Sequence, residues 1–385
     1  MSNQLSVVMP CLNEADTLAT CIEKAQRVIK EHNLQAEIVI ADNGSDDGSI
    51  EIAKSLGAKV VHVKEKGYGY ALMGGIEAAQ GPWVLMGDAD DSYDFLEIPK
   101  FVEKLKEGFD LVQGCRLPRG GGRVLPGAMP ISHRYIGNPM FSQMARSWFS
   151  APIHDVYCGM RAFTKAHYES LEQRCTGMEF ATEMIIRSSL RKVKIAEVPI
   201  TLHPDGRKAH APHLKTFRDG WRTLRYFLMY APRWLFMYPG LLLLLMGLGC
   251  FGLSIPQMAI GEVHFDAHTM LFGALFLLCG YQSILFSVFT KTFAVNERLI
   301  PSPASYNRFY QIMNLERALI LAVGAVLLGG GLLGTAIWKW WSVSFGALNY
   351  QETMRLVIPG VTLMAFGYQT VLYGFFTSIL GMGKK

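Results

Sequence analysis

Hydrophobic and polar positions are arranged in two different ways along this chain. Up to about Pro212, short apolar runs are separated by stretches whose apolar residues recur every three or four positions; from Trp234 onward, long uncharged runs take over. The short runs, at residues 5–9, 37–41, 59–63, 83–87 and 111–114, are rich in β-branched and other strand-forming side chains and predict strands. The stretches between them, such as 15–31 and 95–107, have the periodicity of amphipathic helices. Strand and helix in alternation predict βαβ units around a parallel-core sheet, an α/β fold whose ligands collect at the carboxyl ends of the strands. Polar clusters stand at those ends: Pro10, Asn13 and Glu14 after the first strand, Asp42 to Asp47 after the second, and Asp88 to Asp94 after the fourth.

The uncharged runs 234–261, 267–290, 318–338 and 356–383 each reach the roughly 20 residues that cross about 30 Å of hydrocarbon. Asp, Glu, Lys, Arg and His are absent from them except for His268, near one end of the second run. They predict an all-α membrane domain of four transmembrane helices, with no ion or proton path through it. Arg218, Arg222, Arg225 and Arg233 precede the first run; Lys291, Arg298, Arg308 and Arg317 follow the second; Lys384 and Lys385 follow the fourth. The other two loops carry Glu262 and Asp266, and Lys339, Glu352 and Arg355. Basic loops stay inside, so the N-terminal domain and both termini are expected in the cytoplasm, at a bacterial or archaeal plasma membrane. The apolar stretch 5–9 is too short for a secretory signal. Just before the membrane, Phe217, Trp221, Leu224 and Leu228 keep a helical rhythm beside Arg218, Arg222 and Arg225, which reads as an interfacial helix or a helix packed on the N-terminal domain. A similar segment, 306–317, precedes the third run.

Composition narrows the function. The net charge of +5 is concentrated next to the membrane, so it suits anionic lipid headgroups; no nucleic-acid motif is present. None of the seven cysteines forms a CxxC pair, as expected in a reduced compartment.

The strongest chemical signal is Asp88-Ala89-Asp90, with Asp91 and Asp94 close behind. Along an extended segment Asp88 and Asp90 fall on one side, suited to a divalent cation that also holds a diphosphate, although a solvated turn capping the next helix has the same composition. Asp42-Asn43-Gly44-Ser45 reads as a turn or as a pocket in which Asp42 receives a nucleobase imide. Gly67-Tyr68-Gly69 and Gly74-Gly75 lack dinucleotide spacing and would let a ligand or another backbone approach closely. His203, His210 and His213 lie in a Pro-rich linker that fixes no metal geometry.

With these residues in order, the N-terminal part, through most of 5–230, resembles glycosyltransferase family 2 with its GT-A fold, and more narrowly the polyprenyl-phosphate (dolichyl-phosphate) hexosyltransferases. The motifs are VVMPCLNEADTL, IADNGSDDGS, MGDADDSYDF, GCR at 114–116 and DVYCGMR at 155–161. The resemblance implies a catalytic domain at 1–212, an interfacial helix at 213–233 and the membrane domain at 234–385. It implies inverting transfer of a hexose-type sugar from a nucleotide-sugar, UDP-sugar favoured over GDP-mannose, to undecaprenyl or dolichyl phosphate. By it, Pro10, Asn13, Glu14 and Asp42 line the nucleotide pocket, and Asp88 and Asp90 hold the donor diphosphate with Mg²⁺ or Mn²⁺. Ser92 stands where relatives often place Gln, so the third metal ligand is open, with Asp91 as a substitute. Membrane lipids are further partners, and a homo-oligomer is left open.

A phosphate monoester has a second pKa of about 6 and is itself a nucleophile at neutral pH, so this acceptor needs no general base. Glu179 and Glu183 are base candidates, with Glu183 otherwise expected on a solvated helix face. Positioning two anions calls for arginines. Arg116 and Arg134 are the expected acceptor clamp; Arg161 either joins it or braces Asp155, and Arg207 reaches the donor diphosphate or the lipid, with Lys215 nearby. The Gly- and Pro-rich loop 116–130 reads as a lid or a plain surface loop. A processive polysaccharide synthase would need a QxxRW motif, and the nearest string, Gln143 to Trp148, has one residue too many. A lipid transporter with a nucleotide-sensing domain is the reading from a different class.

Overall fold

The computed structural model describes residues 3–207, 216–297, 300 and 314–381. Lys215, His210, His213, Arg298, Arg308, Lys384, Lys385 and most of segment 306–317 lie outside the described residues. The chain forms two compact units, Met1–Phe227 and Leu228–Lys385.

The first unit is built on a seven-stranded sheet. Strands β1 (Leu5–Cys11), β2 (Ala36–Asp42), β3 (Lys59–His62) and β4 (Trp83–Met86) pair in parallel in the order β3-β2-β1-β4. Val7, Val8, Met9, Val39, Ile40, Val84, Leu85 and Met86 are all buried, which is why these strands read as continuous apolar runs: both faces are covered. Helix α1 (Leu18–Glu31) buries Leu18, Cys21, Ile22, Ala25 and Val28, the stripe its spacing predicts. Helices α2 (Ser49–Ser55), α3 (Tyr68–Ala78) and α4 (Ile98–Lys106) fill the other crossovers. A Cβ on Gly75 of α3 would lie 2.6 Å from the Val8 side chain, so the glycine lets helix and sheet meet. Gly69 abuts the Cys175–Thr176 backbone in the same way. The protein's own backbone, not a ligand, uses that close approach.

The sheet is mixed rather than wholly parallel. Beyond β5 (Leu111–Cys115), the two-residue strand β6 (Arg123–Val124) and helix α5 (Asn138–Phe149), the chain returns as β7 (Arg161–Thr164) between β4 and β5, antiparallel to both. Arg161 pairs with Met86, so the turn that precedes β7 is delivered to the carboxyl edge beside Asp88. Helices α6 (Lys165–Leu171) and α7 (Glu179–Leu190) lead to β8 (Ile195–Pro199), which pairs with β5, and to β9 (Thr201–Leu202). Strand β9 pairs with β6, pinning residues 123–125 of the loop that reads as a lid or a plain surface loop. Helix α8 (Thr216–Tyr230) packs Phe227 against Phe141, Trp148 and Phe149, while Phe217 and Trp221 on its other side are 94% and 60% exposed.

In the second unit, among the described residues, four helices are long and apolar enough to cross a membrane: Arg233–Ser254, Ala267–Asn296, Leu315–Ser342 and Tyr350–Leu380. The first apolar run continues past its helix. Pro256 and left-handed conformations at Gln257 and Gly261 turn it into a hairpin, Ala259–Ile260 against Val263–His264. The last helix starts earlier than hydropathy suggests and takes in Glu352 and Arg355. Arg355 Nη2 donates to Asp266 at 3.1 Å, which draws the two charged loops to the same end of this unit. Gly240 meets Gly280, and Gly329 meets Gly360, at backbone distance, the small-residue contact that substitutes for hydrophobic drive in lipid.

Candidate active site

The polar ends of β1, β2 and β4 converge, and hydrogen bonds between loops hold them. Pro10 lies beyond the last β1–β4 pair, Val8 with Met86, where a missing N–H costs no ladder bond. Asn13 is left-handed at φ 61°, accepts from Asp46 N at 2.9 Å and donates its own N–H to Ser45 Oγ at 3.0 Å. Asp42 ends β2; its carboxylate accepts from Gly44 N and Ser45 N at 3.2 and 2.9 Å, and His62 Nδ1 lies 3.1 Å away. Burial would raise this carboxyl, but those donors hold it below its usual range. Asp42 therefore shapes the turn after β2.

Asp88 and Asp90 follow β4 into the same region. Asp88 accepts from the Tyr68 hydroxyl at 2.9 Å, and a Cβ at Gly159 would stand 2.7 Å from its other oxygen. The glycine of DVYCGMR is thus steric. Burial and the charge of Asp90 push the Asp88 carboxyl up to about 7. Asp90 accepts from Ser92 N and Ser92 Oγ at 3.1 and 2.6 Å through one oxygen; its other oxygen is 3.4 Å from Arg207 Nη1. Arg207 also donates to Glu14 at 2.6 Å and to Asp205 at 2.9 Å.

The two candidates for a third metal ligand have protein partners of their own. Asp91 sits at φ 58° and pairs with Lys24 at 2.8 Å, and the Ser92 hydroxyl donates to Asp90. Among the described residues, no three of His, Cys, Asp and Glu gather at metal-ligand geometry. The donor chemistry still fits a hard cation, because buried carboxylate oxygens face one region and a guanidinium already stands in as the positive charge there.

The arginines divide by environment. Arg116, expected at an acceptor phosphate, is corrected by the structure: its Nε and Nη2 form a fork on Asp155 at 2.7 and 2.9 Å, and Nη1 reaches the Tyr93 hydroxyl at 3.3 Å. Both members of the pair are buried. Arg161 is not the brace of Asp155; it donates to the carbonyls of Cys158 and Ala181. Arg134 stands in a π-helical turn, His133–Gly137, ahead of α5. It lines a cavity of about 260 Å³ with Leu117, Arg119, Tyr135, Gln143, Arg146 and His154, and its buried Nε has no hydrogen-bond partner among the described residues. Glu183 is buried, not solvated: it pairs with Arg187 at 3.0 Å and accepts from Arg174 N and Cys175 N.

Sequence reasoning gives no role to Tyr68, Asp205, Arg119 or Arg146, and offers Asp155 to Arg161 where the structure pairs it with Arg116. Arg146 could have been found, since Pro139, Gln143 and Arg146 share one face of α5. Tyr68 carries no such signal, because its partner Asp88 lies 20 residues away; Asp205 has its partner Arg207 only two residues on, but no periodic pattern marks the pair.

Residues 6–171 match the model of glycosyl transferase family 2, and 288–381 match that of the family 2 C-terminal transmembrane region. A low-salt glycan biosynthesis hexosyltransferase of Haloferax volcanii is 35% identical over 98% of this chain and 89% of its own. The dolichyl-phosphate hexose transferase of the same organism is 33% identical over 57% of this chain and 90% of its own. Glucosyl-3-phosphoglycerate synthase from Mycobacterium tuberculosis, crystallised with Mn²⁺, UDP and glucosyl-3-phosphoglycerate, superposes at a TM-score of 0.48, with 20% identity over 60% of this chain and 80% of its own. Matched by family models in both units, and by a relative along nearly its whole length, this chain belongs to glycosyltransferase family 2, and its mixed sheet is a GT-A-like core.

Proposed function

We propose that this enzyme moves a hexose from a nucleotide diphosphate-sugar, a UDP-sugar by preference, onto the phosphate of a polyprenyl lipid at the cytoplasmic face of the membrane, with inversion. One observation carries the reading: the first unit holds two places of opposite charge, the half-buried Asp88 with the buried Asp90 beyond β4 and the arginine-lined cavity beyond β5. The names of the two Haloferax relatives, a hexosyltransferase and a dolichyl-phosphate hexose transferase, support the hexose and the lipid class.

The chemistry follows from charge. A lipid phosphate is largely dianionic at neutral pH and attacks the anomeric carbon without a base, which suits a site whose Glu183 is locked in an ion pair. A divalent cation held by Asp88 and Asp90 would neutralise the departing nucleoside diphosphate. Arg134, Arg119 and Arg146 would seat the acceptor phosphate, with Leu117, Pro118 and Tyr135 as apolar walls for the first part of the lipid. Arg116 drops out of the clamp because Asp155 uses its fork.

Arg134→Ala should lower kcat/KM for polyprenyl phosphate about 10- to 150-fold, the worth of one charge-assisted phosphate contact. Arg134→Lys should recover part of this, since it keeps the charge and loses the planar fork. Nucleotide affinity by calorimetry should stay within a few-fold of wild type; a collapse there with acceptor kinetics unchanged would move Arg134 to the donor side. For sidedness, a cysteine replacing Glu262 in a cysteine-free background should react with an impermeant reagent on intact cells, and one replacing Lys385 should not. The reverse pattern would invert the topology.

A further inference from the structure

Arg207 occupies the space that the proposed function gives to a metal and a diphosphate. Its Nε and Nη2 donate to Glu14 at 2.8 and 2.6 Å, and Nη1 reaches Asp205 at 2.9 Å and Asp90 at 3.4 Å. The guanidinium is 12% exposed, Glu14 5% and Asp90 13%, so these charges are screened little by water. Burying the carboxylates together costs free energy that a fixed cation among them offsets. A guanidinium does not lose its proton in the physiological range. A second cation can therefore take its place at Asp90 only if Arg207 moves.

We propose that Arg207 is a resident stand-in for the metal, holding Asp90 and Glu14 in the donor-free enzyme and displaced when metal and nucleotide arrive together. The inference rests on the metal reading above and adds a rule to it: metal alone binds poorly. The diphosphate changes the balance twice, by completing the coordination of the metal and by offering the displaced guanidinium a new anionic partner. The acidic pair is then never left uncompensated, and a bare cation does not fill the site ahead of its nucleotide.

Mn²⁺ binding to the full-length protein in detergent, followed by electron paramagnetic resonance with and without UDP, tests this. Wild type should bind Mn²⁺ weakly alone and about 10- to 100-fold more tightly with UDP, the scale of a charge-assisted pair that must be broken. Arg207→Gln should bind Mn²⁺ alone about 10- to 100-fold more tightly than wild type. Lys24→Gln removes an equal charge, held by Asp91 at 2.8 Å, and should change it no more than a few-fold. Asp205→Asn loosens Arg207 without touching Glu14, Asp88 or Asp90, and should give a smaller rise; it keeps the test alive if Arg207→Gln does not fold. Equal Mn²⁺ affinity in wild type and in whichever of the Arg207 and Asp205 variants folds, or an equal gain from Lys24→Gln, would overturn the displacement while leaving the metal site standing. Failure of wild type to bind Mn²⁺ even with UDP would instead remove the metal reading, and this inference with it.

Discussion

Asp90→Asn should abolish transfer while leaving the fold intact. The amide is a much poorer ligand for Mg²⁺ or Mn²⁺ than a carboxylate, and the charge that would hold the metal–diphosphate is halved. A metal's share in stabilising a leaving diphosphate is several kcal/mol, so the expected loss is roughly 10³-fold or more in kcat. The fold should survive for a local reason. Ser92 N and Oγ can still donate to the side-chain carbonyl of asparagine, and the repulsion that helps push Asp88 up is relieved. The attraction to Arg207 at 3.4 Å is given up, but Arg207 keeps Glu14 and Asp205 as partners. Melting temperature, nucleotide-dependent Mn²⁺ binding and turnover should be measured together. Full metal-dependent turnover by the variant would remove Asp90 from the site.

Arg116→Ala should act on stability rather than on the acceptor. It leaves the Asp155 carboxylate, 0% exposed, without its fork and without Tyr93 linked to it through Nη1. Stranding one member of a buried ion pair costs about 3–5 kcal/mol, which for a unit of this size lowers the melting temperature by roughly 6–20 °C. Asp155 also accepts Arg116 N–H at 3.0 Å, so the end of β5 and the DVYCGMR turn should loosen together. Arg116→Lys should recover only part of the loss, because one ammonium cannot reproduce two parallel bonds. An unchanged melting temperature with a raised acceptor KM would restore the phosphate role that its place after the fifth strand first suggests.

The contrast between these two positions shows what a single sequence discloses. The position of Asp88 and Asp90 is legible because it is local: two carboxylates at alternate positions after an apolar strand, β4. The strands and α1 are legible because burial imposes a period. Arg116 misleads because its partner lies 39 residues away, in the turn leading into a strand that enters the sheet out of order, and no local pattern announces that pairing. Arg207 and Glu14 are 193 residues apart, and only the fold brings them together. Glu183 looks like part of a solvated face because its polar neighbours do; the turn formed by Arg174 and Cys175 closes over it. In the second unit, hydropathy finds the spans but not their ends, because Pro256 stops one helix and an ion pair lets another begin on charged residues.

The central claim is that a sugar passes to a lipid phosphate with metal assistance. Purified full-length enzyme, mixed with a panel of radiolabelled UDP- and GDP-sugars and a short-chain polyprenyl phosphate, measures this directly. One sugar per lipid should appear in the organic phase, with one nucleoside diphosphate released for each, and chelation should abolish both until Mg²⁺ or Mn²⁺ is restored. No labelled lipid with any donor, growth of a polymer on the acceptor, or undiminished transfer in the presence of chelator would contradict the account.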